Sequence, residues 1–299
     1  MTYRYTVFGL VVDSCLELPE LLPGEGHPDI DIRWGLVPVV LEESRKTTRS
    51  FQAKPGVLLL TAPQVARILV SNGNEVVVEL LPEAKEIMVR SFILGSTFAA
   101  LLHQRGLLPL HASGIRAGEK CVLFCGRRGT GKSTLASIFM QRGYVLHADD
   151  ICVIGVNPEG KPLVYPAYPQ LKLWGETLEK MGQKPAAYRP VLSFPDKFAV
   201  PAPHFNPEPL PIKKIFILSP HDFEHIEITP ITGINKYKAL KFQTFRRKFP
   251  EGLGTVESHF NTAAIVGKQV PMYRVHRPKN QFLLNELADI LEKNILAGE

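Results

Sequence analysis

The sequence lacks several things, and each absence excludes a class. It has no C-x-x-C pair, and its four cysteines are Cys15, Cys121, Cys125 and Cys152. Cys121, Cys125 and Cys152 lie within apolar runs, which reads as reduced, buried thiols in a cytoplasmic protein rather than a zinc site. No tract approaches the ~20 apolar residues that a membrane span requires. The apolar run Phe8–Val12 near the start is too short, and lacks the basic lead-in, to be a signal peptide. No large excess of charge exists either: 35 Lys and Arg against 29 Asp and Glu leave +6, with a pI near 9.1. That favours anionic ligands weakly and is not the footprint of a nucleic-acid-binding protein. There is no internal repeat and no low-complexity tract.

What is present is the balance of a globular protein. Hydrophobic residues make up 45% and charged residues 21% of 299 positions. That length suits one large domain or two modest ones. Residues 1–90 read as a β-rich region. Tyr5–Val12, Asp29–Trp34, Val57–Leu60, Arg67–Val70 and Val76–Leu80 carry β-formers or alternation, and Asn72-Gly73 marks a hairpin turn. Residues 91–299 read as the second region. Ser91–Arg105 suits a helix that Gly106 stops. Strand-like Leu107–Ile115 and Cys121–Cys125 follow, then a helix from Lys132 to Arg142 and a strand at Tyr144–His147. Proline is dense from Pro158 to Pro230, which predicts long loop, with strands at Ile215–Leu218 and Ile226–Thr229. Asn280–Ile295 reads as an amphipathic closing helix with Leu283, Leu284, Leu287, Ile290 and Leu291 on one stripe.

One motif carries the chemistry. Gly126-Arg127-Arg128-Gly129-Thr130-Gly131-Lys132-Ser133 fits G-x-x-x-x-G-K-[ST] in full. By chance the pattern turns up in about 1% of chains this long. The apolar strand before it and the helix after it narrow the odds further. The glycines let backbone N–H groups approach phosphate oxygens, and the helix start faces the anion. Lys132 reaches the β- and γ-phosphates of ATP, and the Ser133 hydroxyl can ligate Mg²⁺. A second apolar strand ends in Asp149-Asp150. Adjacent carboxylates allow a division of labour, one near the metal and one accepting the proton of an attacking hydroxyl. His111, fifteen residues before Gly126, fits either a satisfied structural histidine or a member of the site. Lys197 could touch the γ-phosphate or the acceptor, or be a solvated loop lysine. Lys236–Lys248 carries six Lys/Arg among aromatics. Its Arg246 and Arg247 suit charge stabilisation, an acidic peptide, or an ordinary basic face.

The run from Leu110-His111-Ala112-Ser113-Gly114 through Gly126–Ser133 to Arg142-Gly143-Tyr144 and Ala148-Asp149-Asp150 resembles the catalytic domain of HPr kinase/phosphorylase. Thr134 stands where that family usually has glutamate, and the family's C-terminal signature with its functional arginine has no counterpart here. The resemblance implies an α/β P-loop core of the HPr kinase and phosphoenolpyruvate carboxykinase type, after a β-rich N-terminal region. It implies an ATP- and Mg²⁺-dependent kinase with Asp150 as general base, and with Asp149 paired to His111 or to metal. Gly126 to Thr134 would line the nucleotide. More widely, Tyr5–Leu10, Leu18–Pro23, Tyr165-Pro166 and Arg277-Pro278 resemble HPr-kinase-like proteins found with peptide-natural-product genes. Some of these phosphorylate a C-terminal serine of a lasso-peptide precursor. That implies a peptide or small-protein partner, no nucleic acid, no membrane, and a homo-oligomer as in family relatives. A small-molecule kinase, an HPr serine kinase and a non-catalytic nucleotide switch are the alternatives.

Overall fold

The computed structural model describes residues 2–191, 194–222, 225–279 and 283–296. The chain divides into two compact units, Met1–Pro109 with Phe245–Thr262, and Leu110–Thr244 with Ala263–Glu299. The first unit therefore runs past the expected boundary at 90/91 and takes back a later segment.

In the first unit a nine-stranded sheet has the order Leu22–Pro23, Tyr3–Val7, Leu10–Ser14, Ile30–Trp34, Glu75–Leu80, Ala66–Ser71, Val57–Ala62, Phe51–Lys54, Lys46–Thr47. The stretch expected as one strand over Tyr5–Val12 is a hairpin instead. Phe8 (φ 55°) and Gly9 (φ 72°) take the left-handed conformation of a two-residue turn. Asn72 (φ 54°) and Gly73 (φ 72°), also left-handed, turn the Ala66–Ser71 and Glu75–Leu80 strands through a three-residue connection that ends at Asn74, the hairpin their sequence implied. The predicted helix starts earlier than expected, at Glu86, passes through a π-helical stretch at Ile93–Thr97, and ends at Gln104. Gly106 (φ 74°) closes it: its N–H reaches His103 O and the Leu107 N–H reaches Leu102 O, the paired bonds of a Schellman stop. This helix, Glu86–Gln104, is long and apolar enough to cross a membrane by length and composition, contrary to the expectation that no such tract exists. Its residues Phe98–His103 are buried, and Phe98 meets Phe8 edge-on at 5.8 Å within the unit.

The second unit is a mixed α/β layer. Lys120–Gly126 pairs antiparallel with Ala112–Ala117 and parallel with Leu210–His221. Val145–Ala148 lies beyond Ala112–Ala117, so the two strands that end at the loop and at the aspartates flank one neighbour. Met272–Pro278 runs parallel to the far part of Leu210–His221. Phe124, Phe139 and Phe216 stack through this core at centroid spacings of 5.3 and 6.1 Å. Leu284, Leu287 and Leu291 of the helix Leu284–Leu296 are buried, as the stripe predicted. The first residues expected in that helix, 280–282, lie outside the described residues.

The segment 158–230 holds more regular structure than its proline content suggested. It holds Pro162–Tyr165, Gln170–Trp174, the helix Gly175–Lys180, Arg189–Val191, Phe194–Pro201, Leu210–His221 and Glu227–Pro230. Four of its prolines sit where a ladder tolerates a missing N–H: Pro162 opens a strand, Pro201 and Pro230 close theirs, and Pro190 lies in a short edge strand. All four cysteines are free thiols; Cys121, Cys125 and Cys152 are buried, and burial pushes Cys125 up to about 12.

Candidate functional site

The site lies in the second unit and starts at a glycine that cannot be replaced cheaply. Gly126 adopts φ 156°, and a Cβ there would meet Thr130 Oγ1 at 2.6 Å and the Leu218 carbonyl oxygen at 3.0 Å. The chain then turns through exposed Arg127, Arg128 and Gly129 and re-enters at buried Thr130. Gly129 (φ 81°) and Gly131 (φ 93°) are left-handed. The Thr130 N–H and hydroxyl both donate to the Arg127 carbonyl, at 3.2 and 2.8 Å. From Met272–Pro278, Arg277 donates Nε and Nη2 to the Thr130 carbonyl at 3.2 and 3.0 Å. The loop is thus closed on itself and pinned from a neighbouring strand. It opens into the helix Lys132–Gln141, whose N-cap, Gly131, supplies no side-chain acceptor to the first-turn amides.

Lys132 is 6% exposed. Its ammonium donates to the Arg127 carbonyl at 3.1 Å and to His111 Nε2 at 3.0 Å. An ammonium only donates, so His111 Nε2 is the acceptor and its Nδ1 carries the proton. That Nδ1 donates to the Asp150 carbonyl at 3.0 Å and lies 3.4 Å from Asp150 Oδ1. Burial, and then the nearby Lys132 charge, push His111 below its ordinary value, which keeps the ring neutral near pH 7. His111 sits in the break between the strands Leu108–Leu110 and Ala112–Ala117, where one strand was expected.

The two aspartates diverge. Asp149, 3% exposed, accepts at Oδ1 from Ser133 Oγ (2.9 Å) and Ser113 Oγ (2.6 Å), and at Oδ2 from the Lys172 N–H (3.0 Å). Asp150 adopts φ 70°, a left-handed conformation that aspartate tolerates better than most side chains. The turn aims its carboxylate away from its neighbour's, and Oδ2 accepts from Lys172 Nζ at 3.1 Å. Burial raises the Asp150 carboxyl, but Lys172 and His111 more than offset it and hold it at about 2. His111 therefore meets Asp150; of the two partners that the resemblance allowed Asp149, His111 or metal, His111 is not its hydrogen-bond partner.

The remaining expected residues divide. Thr134 is buried in the first turn of the helix. Arg127 lies 5.0 Å over the Phe242 ring. Arg128 and Lys197 lie 5.4 and 5.0 Å over the same Trp174 ring, with Lys197 directly opposite Trp174 in the Gln170–Trp174/Phe194–Pro201 ladder. Burial lowers the Lys197 ammonium, while Asp150 and Asp149 act in the opposite sense. Arg246 and Arg247 belong to the first unit, where Arg246 (φ 53°) stacks its guanidinium 5.6 Å over Phe245. They are not on the unit that carries the loop. Sequence reasoning missed the roles of Ser113, Lys172 and Arg277. Ser113 and Arg277 stood inside quoted motifs, but nothing local marked Lys172 as different from any strand lysine.

Among the described residues no group of three or more His, Cys, Asp and Glu side chains could hold a metal ion. The hard-oxygen pair Ser133–Asp149 is a different kind of donor set, and it fits Mg²⁺, which takes one or two protein oxygens and fills its shell with water and phosphate.

No family model and no curated protein sequence matches the chain. Among solved structures, the Hpr(Ser) kinase/phosphatase from Coxiella burnetii is similar over 62% of this chain and 89% of that chain, at 10% identity and a TM-score of 0.33. This is a distant likeness in fold.

Proposed function

We propose that the protein is an ATP- and Mg²⁺-dependent kinase that transfers the γ-phosphoryl group to a hydroxyl, that of a serine in a peptide or small protein. The observation that carries this reading is the physical linkage of the Gly126–Ser133 loop to both aspartates. Lys132 reaches Asp150 through His111, and Ser133 is bonded to Asp149. A glycine loop that only turned the chain would have no need of this linkage.

Ser133 and Asp149 would hold Mg²⁺, which when bound neutralises charge on the β- and γ-phosphate oxygens. The chain's own residues do the rest. The uncapped amides at the helix start and the buried Lys132 ammonium receive phosphate oxygens, Lys132 exchanging its bond to the Arg127 carbonyl for one to the nucleotide. Asp150, ionised across the working pH range, accepts the proton of the acceptor hydroxyl as its oxygen attacks. Neutral His111 orients Asp150 through its Nδ1–H.

The acceptor side of Asp150 is basic. Within the unit that carries the loop, Lys197 and Arg128 are cations available to an acceptor's negative group. A peptide ending in serine, of the lasso-precursor type, presents a carboxylate beside its hydroxyl and suits this arrangement. The test incubates the protein with Mg-ATP and matched peptides ending in Ser, in Ser-amide and in Ala, followed by mass spectrometry. Phosphorylation of the Ser acid well above the amide is expected. Equal labelling of both removes the carboxylate from the reading. Labelling of a hydroxylated metabolite and of no peptide replaces the substrate class.

A further inference from the structure

Lys172 donates to the side chains of both aspartates. It lies at the middle of the strand Gln170–Trp174, far from the Gly126–Ser133 loop in sequence and outside every motif read from it. Its backbone N–H donates to Asp149 Oδ2 at 3.0 Å, and its ammonium donates to Asp150 Oδ2 at 3.1 Å. Tyr168, which is 4% exposed, is near enough to act electrostatically on the ammonium and favour its charged form. The lysine side chain is itself mostly buried.

The geometry explains why a clamp is needed there. Asp149 and Asp150 are neighbours in sequence, but the left-handed turn at Asp150 sends their carboxylates in different directions. Asp149 goes toward Ser133 and Ser113, and Asp150 toward His111. A flexible carboxylate in a strained turn has other rotamers available, and each wrong one would remove it from the acceptor. Of the contacts described, His111 holds Asp150 from one side and Lys172 from the other. The backbone bond from Lys172 ties the strand to Asp149, so any shift of that strand moves both carboxylates together. The phosphate-facing cation is a different residue, Lys132, at the opposite side of His111.

We propose that Lys172 is a positioning residue that sets the relative placement of the two aspartates, its amide holding Asp149 toward Ser133 and its ammonium holding Asp150 toward the acceptor. This rests on the phosphoryl-transfer reading above. The role is in orientation and not in nucleotide binding. Removing the ammonium should leave the phosphate site intact and slow the chemical step.

The experiment compares Lys172→Met, Lys172→Arg, Asp150→Asn and the double variant Lys172→Met/Asp150→Asn with wild type. Mg-ATP affinity is measured by calorimetry. Turnover is followed as phosphate transfer to the serine-ending peptide and as Mg-ATP hydrolysis by water. For Lys172→Met the expected result is an affinity within about threefold of wild type and a kcat lower by roughly 10²-fold, the size of a misplaced reacting group. Lys172→Arg should recover at least about tenfold of that loss, because a cation again spans to Asp150. The double variant should be about as slow as Asp150→Asn alone, since a clamp has no effect on turnover once its carboxylate is gone. Affinity falling in parallel with kcat would make Lys172 a phosphate ligand and overturn the proposal. Unchanged turnover in Lys172→Met, or losses that multiply in the double variant, would overturn it equally. A wild-type protein that binds Mg-ATP but turns it over with neither peptide nor water overturns the kinase reading itself, and this one with it. Should Lys172→Met fail to fold, Lys172→Gln and Lys172→Arg carry the same comparison, with thermal unfolding of each as control.

Discussion

At the residue scale the two adjacent aspartates are chemically identical and physically unlike. Asp149 is enclosed by hydroxyls and a backbone amide, an environment of neutral donors. Asp150 faces an ammonium and an imidazole, and its carboxyl is held at about 2 despite burial. Replacing them should therefore give different defects. Asp150→Asn is expected to keep Mg-ATP affinity within a few-fold and to lose roughly 10²–10⁴ in kcat, the usual effect of a positioned general base. Asp149→Asn is expected to raise the Mg²⁺ concentration needed for half-maximal turnover. Metal titrations of both variants check the pair, and reversed phenotypes would exchange the two roles.

At the scale of elements, the loop owes its shape to neighbours as well as to its glycines. Arg277 brings two N–H groups to one carbonyl, that of Thr130, immediately before Gly131 and Lys132. Burial disfavours the Arg277 charge, so the guanidinium sits there at a cost that its hydrogen bonds offset. Arg277→Ala leaves the Thr130 carbonyl without these donors and frees the loop to sample other conformations. We expect Mg-ATP affinity to weaken by about 10-fold, the equivalent of one charge-assisted hydrogen bond of ~1.5 kcal/mol, with kcat at saturation changed much less. Equilibrium nucleotide binding measures this directly. An equal loss in kcat and affinity would show that Arg277 touches the reacting phosphate rather than the loop alone. The proline-bearing strands of 162–221 make the same point about elements. Local composition pointed to loop, but the ladders placed Pro162 and Pro201 at strand ends and Pro190 in an edge strand.

At the scale of the whole molecule, each unit buries a histidine in its neutral form. His103 in the first unit and His147 in the second are both lowered to about 4, by burial first. Each uses Nε2 to bond a backbone carbonyl, of Phe245 and Val164 respectively, and each has a buried Nδ1 with no hydrogen-bond partner. The folded values lie below the unfolded 6.5. The unfolded chain therefore takes up protons that the folded chain refuses, and the associated stability is present above pH 6.5 and lost as pH falls through about 4. Urea unfolding between pH 7 and pH 4 should show the midpoint dropping with acidity. His147→Gln, which keeps an N–H donor without a titrating ring, should flatten the slope for the second unit. An unchanged slope in that variant would place the acid sensitivity elsewhere.

The sequence by itself determined the local chemistry. The G-x-x-x-x-G-K-S run sits between a buried strand and a helix because glycine placement and apolar runs act within a few residues. The aspartates end the strand Val145–Ala148, and Leu284, Leu287 and Leu291 face the core, for the same reason. Tertiary structure alone decided who meets whom. Lys172 reaches Asp150 across 22 positions, Ser113 reaches Asp149 across 36, and Arg277 reaches Thr130 across 147. Those meetings depend on strand order and register, which no periodicity encodes. The same cause divided the basic run between the units: Lys236, Lys238 and Lys241 fall in the second and Arg246 and Arg247 in the first, because the path of the backbone, and not the charge pattern, decides which unit receives a side chain.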